Sequence, residues 1–154
     1  MSVIAKTYKI PVKEFEKQYK NHLSGFNEWD QKKNAEDQII FPENTGKYLS
    51  IDEIALSNGE LYTVLTNKDA HGKKGALVAM CKGTKALNII TILAKIPYKK
   101  RAIVKEVTLD MSSSMNMIIR DSFPYATLVT DRFHVQKLVT EAVQEVRIDI
   151  RRHV

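Results

Sequence analysis

The sequence predicts an α/β domain built on a mixed β-sheet and preceded by a helical arm. Three observations lead to this fold class. After the arm, three strand-like segments come first, with a tight-turn signal between the first two of them. Helical and strand-like segments then alternate. Three of the strand-like runs also stop at an aspartate. Antiparallel strands followed by βαβαβ form a mixed sheet with helices on its faces.

The arm is predicted from residues 1–46, and the sheet domain from residues 47–154. Residues 1–10 are expected to be extended. A helix is predicted from Pro11, because proline suits the first turn of a helix, and its end is expected near Gly25 to Trp29. The helix has apolar residues at helical spacing, namely Val12, Phe15, Tyr19, Leu23 and Phe26. Residues 30–46 are polar around one short apolar step and are interpreted as a linker.

The sheet domain begins with a predicted antiparallel meander. Residues 48–56 and 61–66 have the composition of two strands, and the dipeptide Asn58-Gly59 between them favours a tight hairpin turn. A polar loop with two glycines covers residues 67–75, and residues 76–82 are predicted to form the third strand.

Helices and strands are predicted to alternate after the meander. Pro97 and Pro124 limit the first two helices, because proline cannot continue a helix. The predicted segments are a helix over about 85–96, a strand over 103–109, a helix over 112–122, a strand over 126–130, and a helix from Val135 towards the C-terminus.

Composition narrows the class of protein. The chain has 154 residues, 44% of them hydrophobic, which suits one domain with an arm. A single cysteine, Cys81, excludes an internal disulfide and a multi-cysteine zinc site, and it favours a reducing cytoplasm. No apolar run predicts a membrane span or a signal segment. The net charge of +6 is compatible with a polyanionic partner, although charge alone is weak evidence.

The three aspartates that end strand-like runs are Asp52, Asp110 and Asp131. Carboxylates brought together at strand ends are typical ligands for magnesium in phosphodiester chemistry. If the first strand of the meander lies beside the fourth strand, Asp52 and Asp110 lie side by side. A shift of one residue in strand register would turn either carboxylate to the other face.

Three ordered motifs carry a family resemblance. They are Ser50-Ile51-Asp52-Glu53, Leu109-Asp110-Met111, and Asp131-Arg132-Phe133-His134 followed by Lys137. On these motifs, residues 47–154 resemble the bacterial insertion-sequence transposases of the acidic-triad (DDE) class, in the ISL-three-like branch. The resemblance implies an RNase H-like, or retroviral-integrase, fold.

The resemblance also implies a mechanism and partners. Asp52 and Asp110 correspond to the first two triad members and are expected to hold Mg²⁺ or Mn²⁺, with Asp52 bridging two ions. The third member of the family triad is a glutamate on a later helix. The sequence ends at Val154 before such a residue, so the core is expected to be incomplete and inactive alone. The implied partners are insertion-sequence ends, target DNA and further copies of the protein.

Each acidic candidate has a structural alternative. Asp52 is open to interpretation as a turn residue at a strand end, and Asp110 as a helix cap. Asp131 is predicted to cap the next helix or to fix it through Arg132, rather than to complete the triad. His134 is an auxiliary candidate for a substrate contact, with local packing favoured.

Other charged residues complete the set of candidates. Glu53 is expected to face away from Asp52, because adjacent strand residues point to opposite faces. Glu141 and Glu145 are interpreted as exposed helix charges. The candidates for DNA binding are Lys73, Lys74, Arg132 and Lys137.

Two alternative functions remain open at this point. One is a non-catalytic module that binds DNA or pairs with the full-length transposase and antagonises it. The other is a complete RNase H-like nuclease that uses Asp52 and Asp110 with Asp131 or a helix glutamate.

Overall fold

A computed structural model describes residues 2–56 and 59–152. Ser57 and Asn58, in the predicted hairpin turn, lie outside the described residues. The chain divides into two compact units, Met1–Asp37 and Gln38–Val154. This division falls earlier in the chain than the predicted one at residues 46 and 47.

The first unit is helical. It contains α1 (Ser2–Thr7) and α2 (Val12–Gln18), followed by a π-helical turn (Tyr19–Leu23) and a 3-10 turn (Asp30–Asn34). The extended lead-in predicted for residues 1–10 was wrong, because α1 occupies most of it. Ala5, a strong helix former, is fully buried there. The predicted helix end is confirmed at Gly25, whose φ of 65° is the left-handed conformation that ends many helices.

The second unit contains a six-stranded mixed sheet. Its strands, in chain order, are β1 (Gln38–Ile40), β2 (Tyr48–Ala55), β3 (Leu61–Asn67), β4 (Leu77–Lys82), β5 (Glu106–Leu109) and β6 (Thr127–Thr130). They lie in the order β1-β4-β3-β2-β5-β6. The pairs from β1 to β2 are antiparallel, whereas β2–β5 and β5–β6 are parallel. The predicted mixed sheet is therefore confirmed, including the placement of the first meander strand, β2, beside β5.

Strand β1 lies where the sequence predicted a linker. Ile39 pairs with Met80, and Ile40, which pairs with Ala79, is buried. A three-residue strand is too short to show an alternating pattern, so its partner strand β4 determines its conformation.

Four helices accompany the sheet in this unit: α3 (Ala86–Leu93), α4 (Tyr98–Arg101), α5 (Ser113–Ser122) and α6 (Arg132–Arg152). Helix α4 was not predicted. It begins directly after Pro97, so this proline both limits α3 and starts the next turn. As a result, β5 begins at Glu106, three residues later than the predicted Ile103.

One face of the sheet carries the core. Leu49 and Ile51 on β2 are buried, and the residues between and after them, Ser50 and Asp52, are not. Asp52 therefore belongs to the face opposite the core. The core also includes residues of α3 and α5 and of neighbouring strands, among them Leu65, Ile89, Leu93, Val107, Leu109, Met115, Ile118, Ile119 and Phe123.

Candidate metal centre

The register of the parallel strands, extended past their last paired residues, aligns the three predicted aspartates. Ser50 pairs with Thr108, and Thr108 pairs with Val129. Two residues further along these parallel chains stand Asp52, Asp110 and Asp131. The Asp131 N–H donates to the Leu109 carbonyl at 2.8 Å, so the ladder between the last two chains extends to this level. We call Asp52, Asp110 and Asp131 the acidic row.

Asp110 forms the junction between β5 and α5. It is half-buried, and its Oδ1 accepts a hydrogen bond from the Ser112 N–H at 2.8 Å. Ser112 is the N-cap of α5, and its hydroxyl lies 2.6 Å from that of Ser114. Asp110 therefore bonds the N-cap residue and is not itself the helix cap that the sequence offered as its alternative role. The same hydrogen bond fixes the orientation of the carboxylate.

Asp52 is exposed within β2, where it pairs with Val64. Its Oδ1 accepts a hydrogen bond from the Glu53 N–H at 2.8 Å. Partial burial raises the pKa of the Glu53 carboxyl, and the negative charges of Asp110 and Asp52 raise it further. Strand alternation assigns Glu53 to the face opposite Asp52, yet the two aspartates still act on it electrostatically. The sequence pattern shows the face but not this proximity.

Asp131 caps α6. Its Oδ1 accepts a hydrogen bond from the Phe133 N–H at 2.9 Å, so the predicted cap is present, although it is made through Phe133 and not Arg132. The Oδ2 atom lies 3.4 Å from His134 Nδ1. This contact is an ion pair only when the imidazole is protonated, because a neutral imidazole carries no charge. Its geometry is not that of a hydrogen bond, and Nδ1 is buried without a hydrogen-bond partner in the part of the chain that the structure describes.

The predicted DNA-binding cations fall at opposite edges of the sheet, where an edge means the side formed by the starts or by the ends of the parallel strands. Arg132 and Lys137 lie on α6, which starts at the acidic row, and Lys137 Nζ is 3.9 Å from Glu141 Oε1. Lys73 and Lys74 lie in the loop after β3 and line a surface groove with Glu43 and neighbouring residues. Because β3 runs antiparallel to β2, this loop is at the edge where β2 begins.

The sequence reasoning did not single out Lys47 and Lys105 at that far edge. These two residues lie at the starts of β2 and β5, and their main chains are hydrogen-bonded. The signal available in the sequence was the absence of any acidic residue between Lys82 and Glu106.

Over residues 2–56 and 59–152, no three His, Cys, Asp or Glu side chains form a cluster that could hold a metal ion. Over the same residues, no helix has the length and apolar character needed to span a membrane.

The six-stranded mixed sheet, its helices and the acidic row at the ends of parallel strands define an α/β domain of the RNase H-like class. The profile of a transposase family, the ISL-three type of the DDE transposases, matches residues 49–154. The chain belongs to this family, and the resemblance inferred from the three motifs is confirmed. No curated protein matches the chain significantly.

Proposed function

We propose that Asp52 and Asp110 together hold Mg²⁺, or Mn²⁺ in its place, for DNA strand cleavage and transfer in transposition. The observation that carries this proposal is the parallel β2–β5 pairing, whose last pair, Ser50 with Thr108, stands two residues before Asp52 and Asp110. Carboxylates on neighbouring strands at one level are within reach of a common ion.

The residues present fit a hard divalent cation. Magnesium prefers oxygen ligands and keeps several waters, so a site with few carboxylates suits it. The Ser112 N–H holds one oxygen of Asp110, and Asp52 is exposed, so DNA has access to this edge. When bound, such ions activate an attacking hydroxyl and stabilise the leaving oxygen of a phosphodiester.

The neighbouring residues take supporting roles in this proposal. Asp131 orders the start of α6 through its cap, and Arg132, His134 and Lys137 lie in the first two turns of this helix. Arg132 and Lys137 would contact DNA phosphates near the reacting bond, and His134 a phosphate or hydroxyl. Lys73 and Lys74 would contact phosphates at the other edge of the sheet.

We also propose that these 154 residues do not transfer strands by themselves. The family resemblance implies a third carboxylate, a glutamate, and Asp131 is already engaged as a helix cap. Active protein would act as an oligomer on insertion-sequence ends and target DNA in the cytoplasm. Robust magnesium-dependent strand transfer by the purified chain, lost in Asp52→Ala, would contradict this part of the proposal.

Manganese titration followed by electron paramagnetic resonance tests the metal site. Asp52→Asn and Asp110→Asn should each weaken Mn²⁺ binding by at least about tenfold, or 1.4 kcal/mol. Asparagine keeps an oxygen acceptor, so the hydrogen bond from Ser112 to residue 110 is retained and the fold is preserved. Asp131→Asn is the matched control, because it keeps the cap on α6 and should leave the affinity within about twofold. Loss of binding in Asp131→Asn alone would move the site away from Asp52 and Asp110.

A second candidate function is a DNA-binding or subunit-pairing module without catalysis. The observation that favours it is that the described residues contain no three-ligand metal cluster. It predicts that the double variant Asp52→Asn, Asp110→Asn binds DNA and full-length transposase as well as wild type does. A third candidate function, a complete RNase H-like nuclease, requires the purified chain to cleave an RNA–DNA hybrid. A cleavage assay with that substrate measures this.

A further inference from the structure

The longest stretch of the chain without an acidic residue lies between Asp69 and Glu106. Residues 83–105 contain six basic side chains and no acidic one. Three of the six, Lys99, Lys100 and Arg101, form most of the short helix α4, and Lys105 directly precedes β5.

Main-chain and side-chain contacts bring this stretch to one edge of the sheet. The Lys105 N–H donates to the Lys47 carbonyl at 2.8 Å, and the Thr127 N–H donates to the Lys105 carbonyl at 2.8 Å. The hydroxyls of Tyr125 and Tyr98 lie 3.2 Å apart. Since β2, β5 and β6 are parallel, these contacts are all at the edge where the strands begin. We call this surface the basic edge; its residues are Lys47, Tyr98, Lys99, Lys100, Lys105 and Tyr125.

Helix α4 is held rigidly at this edge by Arg101. Its Nε donates to the Ile96 carbonyl at 3.0 Å, and one terminal nitrogen donates to the Ser122 carbonyl at 2.8 Å. The guanidinium also lies 5.9 Å from the centre of the Tyr98 ring. Arg101 is therefore a structural residue, and the lysines beside it carry the accessible charge.

The four lysines of the basic edge are available to a ligand. Three of them are exposed and Lys100 is half-buried, and none forms an ion pair within residues 2–56 and 59–152. Tyr98 is 56% and Tyr125 68% exposed. Of the nearby acids, Glu106 is paired with Lys68 at 3.4 Å, and Asp121 is exposed on α5.

The partner that fits this surface is a polyanion whose charges are spaced along a line. Lysine ammonium groups bind phosphates as point charges, and tyrosine hydroxyls donate hydrogen bonds to phosphate oxygens. From Lys47, directly before β2, to Asp52, the five residue-to-residue steps span roughly 16 Å at about 3.3 Å per step. A phosphate at the basic edge is therefore not the one at the acidic row.

We infer that the basic edge binds the backbone of a DNA duplex at a position remote from the reacting phosphodiester, without sequence preference. The identity of the polyanion as DNA rests on the proposed function. The basic edge adds a DNA contact region to the one proposed at the acidic row, so that one domain holds DNA at both ends of its parallel strands.

Salt-dependent binding of a fluorescent DNA duplex to the full chain, between 50 and 200 mM NaCl, tests the inference. Two variants remove charge from the basic edge: Lys99→Gln with Lys100→Gln, and Lys47→Gln with Lys105→Gln. Each should reduce the slope of log affinity against log salt by about 1.8, because each phosphate contact contributes about 0.9. The affinity lost between the two salt concentrations then shrinks by about 12-fold relative to wild type.

Matched variants separate this effect from total charge and from folding. Lys13→Gln with Lys17→Gln removes the same charge from exposed positions on α2 and should leave the slope unchanged. Lys99→Arg with Lys100→Arg keeps the charge and should retain the wild-type slope. Two unrelated duplex sequences should give the same slopes.

Three results would overturn the inference. They are slopes of the basic-edge variants equal to that of the α2 control, no duplex binding by wild type, or binding through these lysines to anionic vesicles but not to DNA. Manganese binding at Asp52 and Asp110 involves none of these lysines. Failure here therefore leaves the metal proposal intact, and failure of the metal proposal is seen in a separate measurement.

Discussion

At the scale of single residues, Cys81 gives a pH dependence with a defined sign. Burial on β4 raises the pKa of its thiol from 9.0 to about 11, against the opposing effect of the Lys95 charge. Because the folded pKa is higher, the unfolded chain loses this proton first as pH rises above 9.0. The neutral thiol therefore stabilises the fold below that pH, and the contribution is lost as pH approaches 11.

We predict that the free energy of unfolding falls more steeply for wild type than for Cys81→Ala between pH 9 and 11, the window that this shift defines. Urea unfolding at pH 8, 10 and 11, followed by circular dichroism, measures both proteins. Lysines and tyrosines titrate in the same range, but they are common to both chains and cancel in the difference. Parallel curves for the two proteins would show that the thiol is not desolvated.

The aspartates show at this scale what sequence can and cannot predict. Asp110 and Asp131 each follow a run of β-branched or apolar residues and precede a helix, so their positions at strand ends were readable from the chain, as was the cap that Asp131 makes on α6. The influence of Asp110 and Asp52 on Glu53 was not, because the distance between charges on neighbouring strands depends on three-dimensional register. Period-two alternation gives only the face of each side chain.

At the scale of elements, α6 was predicted from its spacing, but its packing was not. An apolar stripe runs along this helix, made of Val135, Leu138, Val139, Ala142, Val143, Val146 and Ile150. No residue of α6 is buried in the described structure, and Val143 is 63% exposed. Periodicity shows that one face of the helix is apolar, but it does not show what that face packs against. The short elements β1 and α4 were missed for the opposite reason, since three or four residues show no period.

We predict that Val139→Gln with Val146→Gln changes the free energy of unfolding by less than about 0.5 kcal/mol, as is usual for exposed positions. Glutamine is at least as good a helix former as valine, so α6 should remain helical. Concentration-dependent self-association should decrease, because exposed apolar patches promote it. Sedimentation velocity at several concentrations measures the association, and urea unfolding measures the stability.

The control for the α6 variant is Leu93→Ala on α3. Leu93 is 1% exposed, so its truncation should destabilise the fold by about 2–5 kcal/mol. If the α6 variant loses stability on the same scale, the apolar stripe is covered within the folded chain, and the helix packs differently from the structure described.

At the scale of the whole molecule, charge is distributed along the strand direction. The parallel strands begin at the basic edge and end at the acidic row, so basic side chains lie at one end of these strands and carboxylates at the other. The strands were predictable from β-branched runs, and the net charge of +6 from composition. The meeting of Lys47 and Lys105 was not predicted, although the β2–β5 pairing that brings them together was, because the two lysines are distant in sequence and share no motif.

The boundary between the two units gives the last prediction. The buried core cluster contains residues from Ile40 to Phe123 and none from the first unit. A fragment of residues 38–154 should therefore keep the sheet signal in circular dichroism and unfold in one cooperative transition, within a few degrees of the full chain.

A fragment of residues 47–154 lacks β1 and the buried Ile40. It should be less stable by at least about 2 kcal/mol, the lower end for loss of one buried aliphatic side chain. Thermal and urea unfolding of the two fragments measure this difference. Equal stability of the two fragments would return the domain boundary to residues 46 and 47 and would show that β1 contributes little to the sheet.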